Sequence, residues 1–433
     1  MQNRLSRREI LKGAALAAGS AVAIPLFVPS TVLGKKAPSN RLNLAVIGLG
    51  GQGGANLKAV KDQNIVALCD VDEKRAGTAY ERFPKAQKFT DFRKLFDAVE
   101  KKIDGAVIST PDHTHFHPAY WALQRGKHVY LEKPLAHNVW EIRTLTKLAA
   151  EKKLATQLGA QRHALEGLRR GVEIVKAGAL GTISEVHSWL NSTRGMPDVP
   201  TEQEKIPATL DWDLWLGPAA QRSYSKAYVP YNWRFWWDFG TGDTGNWGCH
   251  ILDIPYWALG LKYPTKVEAS GPPPDKQRTP KSLSARFEFP ATAQRPAVVL
   301  HWHQGVPQVV KDLGVKFESC NNLFIGTQGK LLCGFGKQYM LLPQKKFAEF
   351  KLPASTIPKS PGFHTEWFQA CMGGAPATCN FDYTGPMAES VILANVAYRA
   401  QGGFAWDAAT LTPQGNAAAA HYIREPFRKG WEI

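Results

Sequence analysis

The feature that most narrows the fold of this chain is a glycine-rich turn, Gly48-Leu49-Gly50-Gly51-Gln52-Gly53, set between the apolar run LNLAVIG and the helical segment ANLKAVKD. Glycine is required where a turn is tight and where backbone must approach a pyrophosphate, whose charge then sits at the N-terminus of the next helix. The spacing alone is common. Here the turn follows a strand-like run, opens a helix, and is trailed by a second β-branched run, IVALCD, that ends in Asp70, 22 residues after Gly48. A carboxylate at that point accepts hydrogen bonds from ribose hydroxyls and repels a 2′-phosphate. NAD is therefore expected in preference to NADP, although Lys74 and Arg75 lie close enough to Asp70 to keep NADP open.

The alternation continues downstream. DGAVIST and HVYLEKP read as strands and PAYWALQRG as a helix, the order of a parallel, doubly wound sheet. There is no internal repeat. Between these elements lies Thr110-Pro111-Asp112-His113-Thr114-His115-Phe116-His117, with three alternating histidines. The chain turns from strand into helix around Pro118, so the three rings are not expected to converge on a metal. The loop leaves the carboxyl end of a strand, and Thr110, Pro111, His113 and His115 are assigned to nicotinamide and ribose contacts. Six cysteines (Cys69, Cys249, Cys320, Cys333, Cys371, Cys379) contain no CxxC pair and read as buried small hydrophobes rather than metal ligands or disulfides. His301 and His303 share one face of the strand-like run AVVLHWHQ and read as ordinary sheet residues. No metal is expected.

At Gly126–Ala136, GKHVYLEKPLA, the sequence comes to resemble the Gfo/Idh/MocA oxidoreductases. The resemblance rests on the order GxGxxG, Asp70, TPDHTH and EKP. It continues through LDWDLWLGP, YNWRFWWDFGTGDTGNWGCHILD and the closing FAWD and FRKGW, in the manner of the secreted, twin-arginine-exported branch with its tryptophan-rich segment. It implies an α/β chain: an N-terminal Rossmann dinucleotide-binding domain over residues 40–156, then a C-terminal α/β domain over 157–433 with a large, open, mostly antiparallel sheet. That second domain would bind substrate and join copies of the chain into a homo-oligomer. The runs ISEVHSWL, SLSARFEF, AVVLHWHQ and KLLCGF suit such a sheet.

The resemblance also implies roles. Lys133 of EKP would stand beside the nicotinamide as base or carbonyl polariser, oriented by Glu132, because burial and a neighbouring cation both disfavour its ammonium form. The Lys133-Pro134 bond is often cis in the family. Where the family has D-x-G-x-H, this chain reads Asn246-Trp247-Gly248-Cys249-His250. Asn246 cannot ionise, so proton handling falls to Lys133 and His250 while the amide is left to hold a substrate hydroxyl. Asp243 and Asp253 read as structural. Trp233, Arg234, Trp236 and Trp237, some of them packing residues, and Gln161, Arg162 and His163 after LATQLGA are expected along the substrate cleft.

The formal charge of +16 raises the question of nucleic acid. Six basic residues against one acid fall within the first 36, and the rest are interspersed with acids rather than gathered in a stripe, so no nucleic-acid partner is expected. The first 36 residues themselves, with Arg7 and Arg8 ahead of a weakly apolar stretch interrupted by Gly19, Ser20 and Pro25, resemble a twin-arginine signal. The twin-arginine translocase is then a partner and the periplasm the destination, with membrane anchoring if the segment is not cleaved. Three functions follow: an NAD-dependent dehydrogenase of a sugar or cyclitol; an NAD-dependent glycoside hydrolase working by redox-neutral oxidation and elimination; or a sugar-binding protein with a vestigial site. Export favours the redox-neutral hydrolase, since free NAD is not expected outside the cytoplasm and a tightly held cofactor must recycle itself.

Overall fold

The computed structural model describes residues 41–433; the segment expected to be a twin-arginine signal lies outside them. Six strands, β1 (Asn43–Ile47), β2 (Asn64–Cys69), β3 (Gln87–Phe89), β4 (Gly105–Ile108), β5 (His128–Leu131) and β6 (Thr156–Leu158), form a sheet in the order β3-β2-β1-β4-β5-β6. Every pair is parallel. The sequences explain why: GAVI of β4 is buried throughout and NLAVI of β1 nearly so, as parallel strands must be when helices cover both faces. Strand order reverses at β1, so a crevice opens at the carboxyl ends of β1 and β4. Helix Val139–Glu151 begins with a capping box in which Asn138 and Glu141 satisfy each other's backbone N–H groups.

The second sheet has nine strands: β7 (Ile183–Leu190), β8 (Lys266–Ser270), β9 (Ser284–Phe289), β10 (Val298–Gln304), β11 (Cys320–Gly326), β12 (Lys330–Gly334), β13 (Met340–Leu342), β14 (Phe404–Asp407) and β15 (Thr412–Gln414). Their order is β13-β12-β11-β7-β10-β9-β8-β14-β15, antiparallel except for the β7–β10 pair. Buried and half-buried residues alternate along β9 and β10, the signature of a sheet covered on one face. Helices Gly242–Ile251 and Phe381–Arg399 lie on the covered face, where Trp302 Nε1 donates to Thr244 Oγ1 at 3.1 Å.

The last third of the chain returns to the first sheet. Cys379 accepts from the N–H of Leu158 at the edge strand β6 (2.9 Å), and Phe381 N–H donates to Thr156 Oγ1 (3.0 Å). Arg143 meets Glu389 through a buried two-pronged ion pair, with Nη2 2.8 Å from Oε1. All six cysteines are unpaired. No helix among the described residues is long and apolar enough to cross a membrane.

Candidate active site

The crevice is a cleft of about 410 Å³. Gly48, Gly50, Gly51, Gln52, Asp70, Thr110 and Pro111 line one side, and Gln161, Arg162, Trp233, Arg234, Asn246 and His250 the other, with Glu132 and Lys133 between them. The glycine turn fits a dinucleotide because side chains would destroy it. Gly48 has φ +82°, and a Cβ there would lie 2.7 Å from the Ser109 backbone. Asp70 Oδ2 accepts from the N–H of Leu49 (2.7 Å) and Oδ1 from that of Asp72 (3.0 Å), so the acid shapes the turn from the end of β2. Burial pushes the Asp70 carboxyl up, against the two backbone donors.

Lys133 lines the cleft, and the Lys133-Pro134 bond that follows it is cis. Its Nζ donates to Asn246 Oδ1 at 2.6 Å. Burial pulls its ammonium down in spite of the nearby Glu132 and Asp112 carboxylates. His250, one helical turn beyond Asn246 on Gly242–Ile251, also lines the cleft, and its Nδ1 is buried without a hydrogen-bond partner. Burial, then the Lys133 and Arg162 charges, hold this imidazole well below its ordinary range. Arg234 stacks between Tyr231 and Trp233, 4.3 Å from each ring centre, while Arg162 lies 4.5 Å over Phe335 and 5.2 Å over Trp247.

Several sequence expectations need correction. Glu132 makes no hydrogen bond to the Lys133 amine. Its Oε1 takes Asn56 Nδ2 (2.9 Å) and Gln161 Nε2 (2.6 Å) instead, which makes Gln161 a partner of Glu132 at the cleft wall. Leu49 is buried and its N–H is committed to Asp70. Gly53 lies beneath the turn, where a Cβ would overlap the Gly48 carbonyl oxygen, so it sets how closely the helix approaches the strand. His113 is a core residue between the carbonyls of Trp215 (3.0 Å) and Phe239 (3.2 Å), and burial holds its pKa at about 3. His115 joins the carbonyls of Pro134 (2.7 Å) and Thr110 (2.8 Å), bracing the Lys133 turn from behind. His163 is paired with Asp253 (2.8 Å) and stacked on Trp257. Trp236 is fully buried against Tyr228, and Trp237 Nε1 donates to the Asp275 carbonyl, so neither lines this cleft.

Asp112 and Asn56, to which the sequence gives no role, also build the site. Asp112, inside the TPDHTH motif, lines the cleft and accepts from the Thr241 hydroxyl (2.6 Å), tying the loop to the start of helix Gly242–Ile251. Asn56 joins Glu132 to Ser109, and its signal was a polar residue three places after Gly53, on the helix face turned toward the sheet. The Arg75 guanidinium lies over Gly50 beside Asp70.

Comparison with known proteins agrees with this architecture. Residues 42–160 match the model of an oxidoreductase family with an NAD-binding Rossmann fold, and residues 182–433 match that family's C-terminal alpha/beta domain. An inositol 2-dehydrogenase of Rubrobacter xylanophilus is 31% identical over 179 residues, 40% of this chain and 50% of that protein. A glycosyl hydrolase family 109 protein of Solibacter usitatus is 32% identical over 157 residues, 32% of this chain and 36% of that protein. The chain thus matches about half the length, or less, of these curated relatives. Among solved structures, the WlbA dehydrogenase of Bordetella pertussis, in complex with NADH and UDP-GlcNAcA, shares the fold at a TM-score of 0.60 and 14% identity, covering 85% of this chain and 99% of that one.

Proposed function

This chain belongs to the Gfo/Idh/MocA oxidoreductases, and on that premise we propose that it is an NAD-dependent dehydrogenase of a sugar or cyclitol hydroxyl. The observation that carries the reading is Lys133 Nζ at 2.6 Å from Asn246 Oδ1, on the floor of the cleft that the glycine turn borders. Gly48, Gly50, Gly51 and Gln52 would hold the pyrophosphate and Asp70 the ribose, favouring NAD over NADP, while Arg75 is the residue through which NADP would be accommodated. The bound dinucleotide supplies a hydride acceptor.

The chain's own residues supply the rest. Burial favours the neutral amine of Lys133, which takes the proton of the reacting hydroxyl. The Asn246 oxygen aims that amine without competing for the proton, since an amide does not ionise. His250, at the cleft wall one helical turn from Asn246, offers its ring to orient the substrate. Trp233 gives an apolar face for a sugar ring, and Arg162 and Arg234, held by stacking, present guanidinium donors to hydroxyls or a carboxylate.

The same reading includes export through the twin-arginine translocase to the periplasm, a tightly held cofactor loaded before export, and self-association through the nine-stranded sheet. Arg7 and Arg8 support export: replacing both with Lys should leave the protein in the cytoplasm, and unchanged export of that variant would remove this part of the proposal. A second reading, an NAD-using glycoside hydrolase, is favoured by the similarity to the family 109 protein. Incubating pure protein with free sugars and with aryl glycosides separates the two. Net NADH from a free sugar supports the dehydrogenase, aglycone release without net NADH supports the hydrolase, and neither product would point to a sugar-binding protein with a vestigial site.

A further inference from the structure

The open face of the nine-stranded sheet carries a side-chain cluster that the cleft does not use. Residues two apart on a strand share a face, which places His301 and His303 of β10 side by side. The parallel β7–β10 register sets His187 directly opposite His301. Three imidazoles from two strands therefore meet, with one nitrogen from each within 4.8 Å of the others. The rings of His187 and His301 are 4.4 Å apart and within 8° of parallel.

Glu185, two residues before His187 and on the same face, completes the group. Its Oε1 lies 3.0 Å from His187 Nε2 and 3.2 Å from His301 Nε2. Donor atoms around a tetrahedral ion with metal–ligand bonds of about 2.0–2.1 Å are roughly 3.3 Å apart, so the two Glu185 contacts have the length of two edges of such a site. Within the group His303 Nε2 lies 3.2 Å from His187 Nδ1, and Ser284 Oγ lies 3.1 Å from His303 Nδ1, a contact that fixes the orientation of the His303 ring. The nearest cation, Arg286, is engaged by Glu268 and Glu288.

We propose that His187, His301 and His303, with Glu185 as an oxygen donor, bind one divalent transition-metal ion of the zinc class on the open face of the sheet. Imidazole and carboxylate without thiolate suit Zn²⁺ or Co²⁺ and exclude a preference for Mg²⁺ or Ca²⁺. The alternate residue of the same strand, Trp302, points the other way onto Thr244 of the helix that bears Asn246 and His250, so the ion would brace β10 from the side opposite the cleft.

The test uses the full chain, treated with chelator and titrated with CoCl₂ and then ZnCl₂. One Co²⁺ per chain with the visible absorption of a tetrahedral nitrogen–oxygen site, displaced by Zn²⁺, is expected, together with a rise in Tm on adding ZnCl₂. His301→Gln changes the most open ring, whose side chain is 19% exposed, and should weaken Co²⁺ binding at least about tenfold. Glu185→Gln, at a 42% exposed position, is the second variant should the first fail to fold, and it should also weaken binding and alter the spectrum. Absence of a stoichiometric Co²⁺ spectrum would overturn the proposal and leave the cluster as stacked, hydrogen-bonded sheet residues. An unchanged spectrum in a folded His301→Gln or Glu185→Gln protein would also overturn it, by placing the ion elsewhere. Neither readout depends on turnover, so failure here is distinct from failure of the dehydrogenase reading.

Discussion

Asn246→Asp is the substitution that most sharply examines Lys133 as the proton acceptor. The amide oxygen lies 2.6 Å from Nζ, and Asp is nearly the size of Asn, so the variant puts a full negative charge where a dipole now stands. Opposite unit charges about 4 Å apart attract by ~4 kcal/mol at an effective dielectric of ~20, part of which is lost in desolvating the new carboxylate. A close opposite charge typically shifts a protonation equilibrium by ~10- to 1,000-fold, or ~1.4 to 4 kcal/mol. The direction is fixed: the ammonium is stabilised and the neutral amine becomes scarcer at any given pH. The acid limb of kcat/KM should therefore move to higher pH, and activity at pH 7 should fall by about tenfold to a thousandfold. Asn246→Leu removes the acceptor and should move the same limb to lower pH. The assay is the pH dependence of kcat/KM on whichever sugar or glycoside is turned over, with retained NAD as the check that the cleft is intact. Coincident acid limbs in all three proteins would refute Lys133 as the titrating base. Higher activity of the Asp variant at neutral pH would refute the pairing of a neutral amide with this lysine.

Three further outcomes are expected. Denatured wild-type protein should release NAD(H), identified by chromatography, and Asp70→Ala should weaken NAD more than NADP, by about tenfold if one charge-assisted hydrogen bond is lost; release of NADP(H) alone would contradict the role of Asp70. Gly53→Ala, whose Cβ would overlap the Gly48 carbonyl, should cost ~1 to 3 kcal/mol or more and lose the cofactor, seen as a lower Tm that added NAD does not restore. Burial pushes the Glu141 carboxyl from 4.5 up to about 8, so the folded chain keeps a proton that the unfolded chain gives up across that interval, and stability falls as pH rises through it. Glu141→Gln should flatten the difference between urea midpoints measured at pH 5 and pH 8, and an unaltered difference would show that another group is responsible.

The parts of the fold written in strict periodicity were legible. LNLAVIG, IVALCD and DGAVIST are continuous apolar runs and became β1, β2 and β4, and the alternation in SARFEF and VVLHWHQ became the half-covered β9 and β10. In the site, the residues that do line the cleft were read in two ways: Gly48, Gly50, Gly51 and Asp70 from local spacing, and Lys133 and His250 from the family resemblance. The misplaced ones share a different cause. His113, His163 and Trp237 are polar or amphipathic groups whose partners, Phe239, Asp253 and Asp275, come from elsewhere in the chain, and a one-dimensional reading cannot distinguish a polar atom satisfied in the core from one facing a ligand. His187 was missed beside His301 for the same reason, because the parallel β7–β10 pairing spans more than a hundred residues and leaves no local trace.

The closure of β6 by residues near Cys379 has a consequence for the order in which the protein is made. The edge strand is synthesised by residue 158, yet the backbone carbonyl that covers it, the Thr156 partner at Phe381 and the Glu389 carboxylate awaiting Arg143 arrive more than two hundred residues later. At ~5–20 residues per second, ribosomes leave that edge bare for about 10 to 45 seconds. Throughout that interval the nascent first sheet presents unpaired N–H and C=O groups and a guanidinium without its carboxylate, the features by which unfinished chains pair with one another. The nucleotide-binding half is therefore completed only after translation has nearly ended.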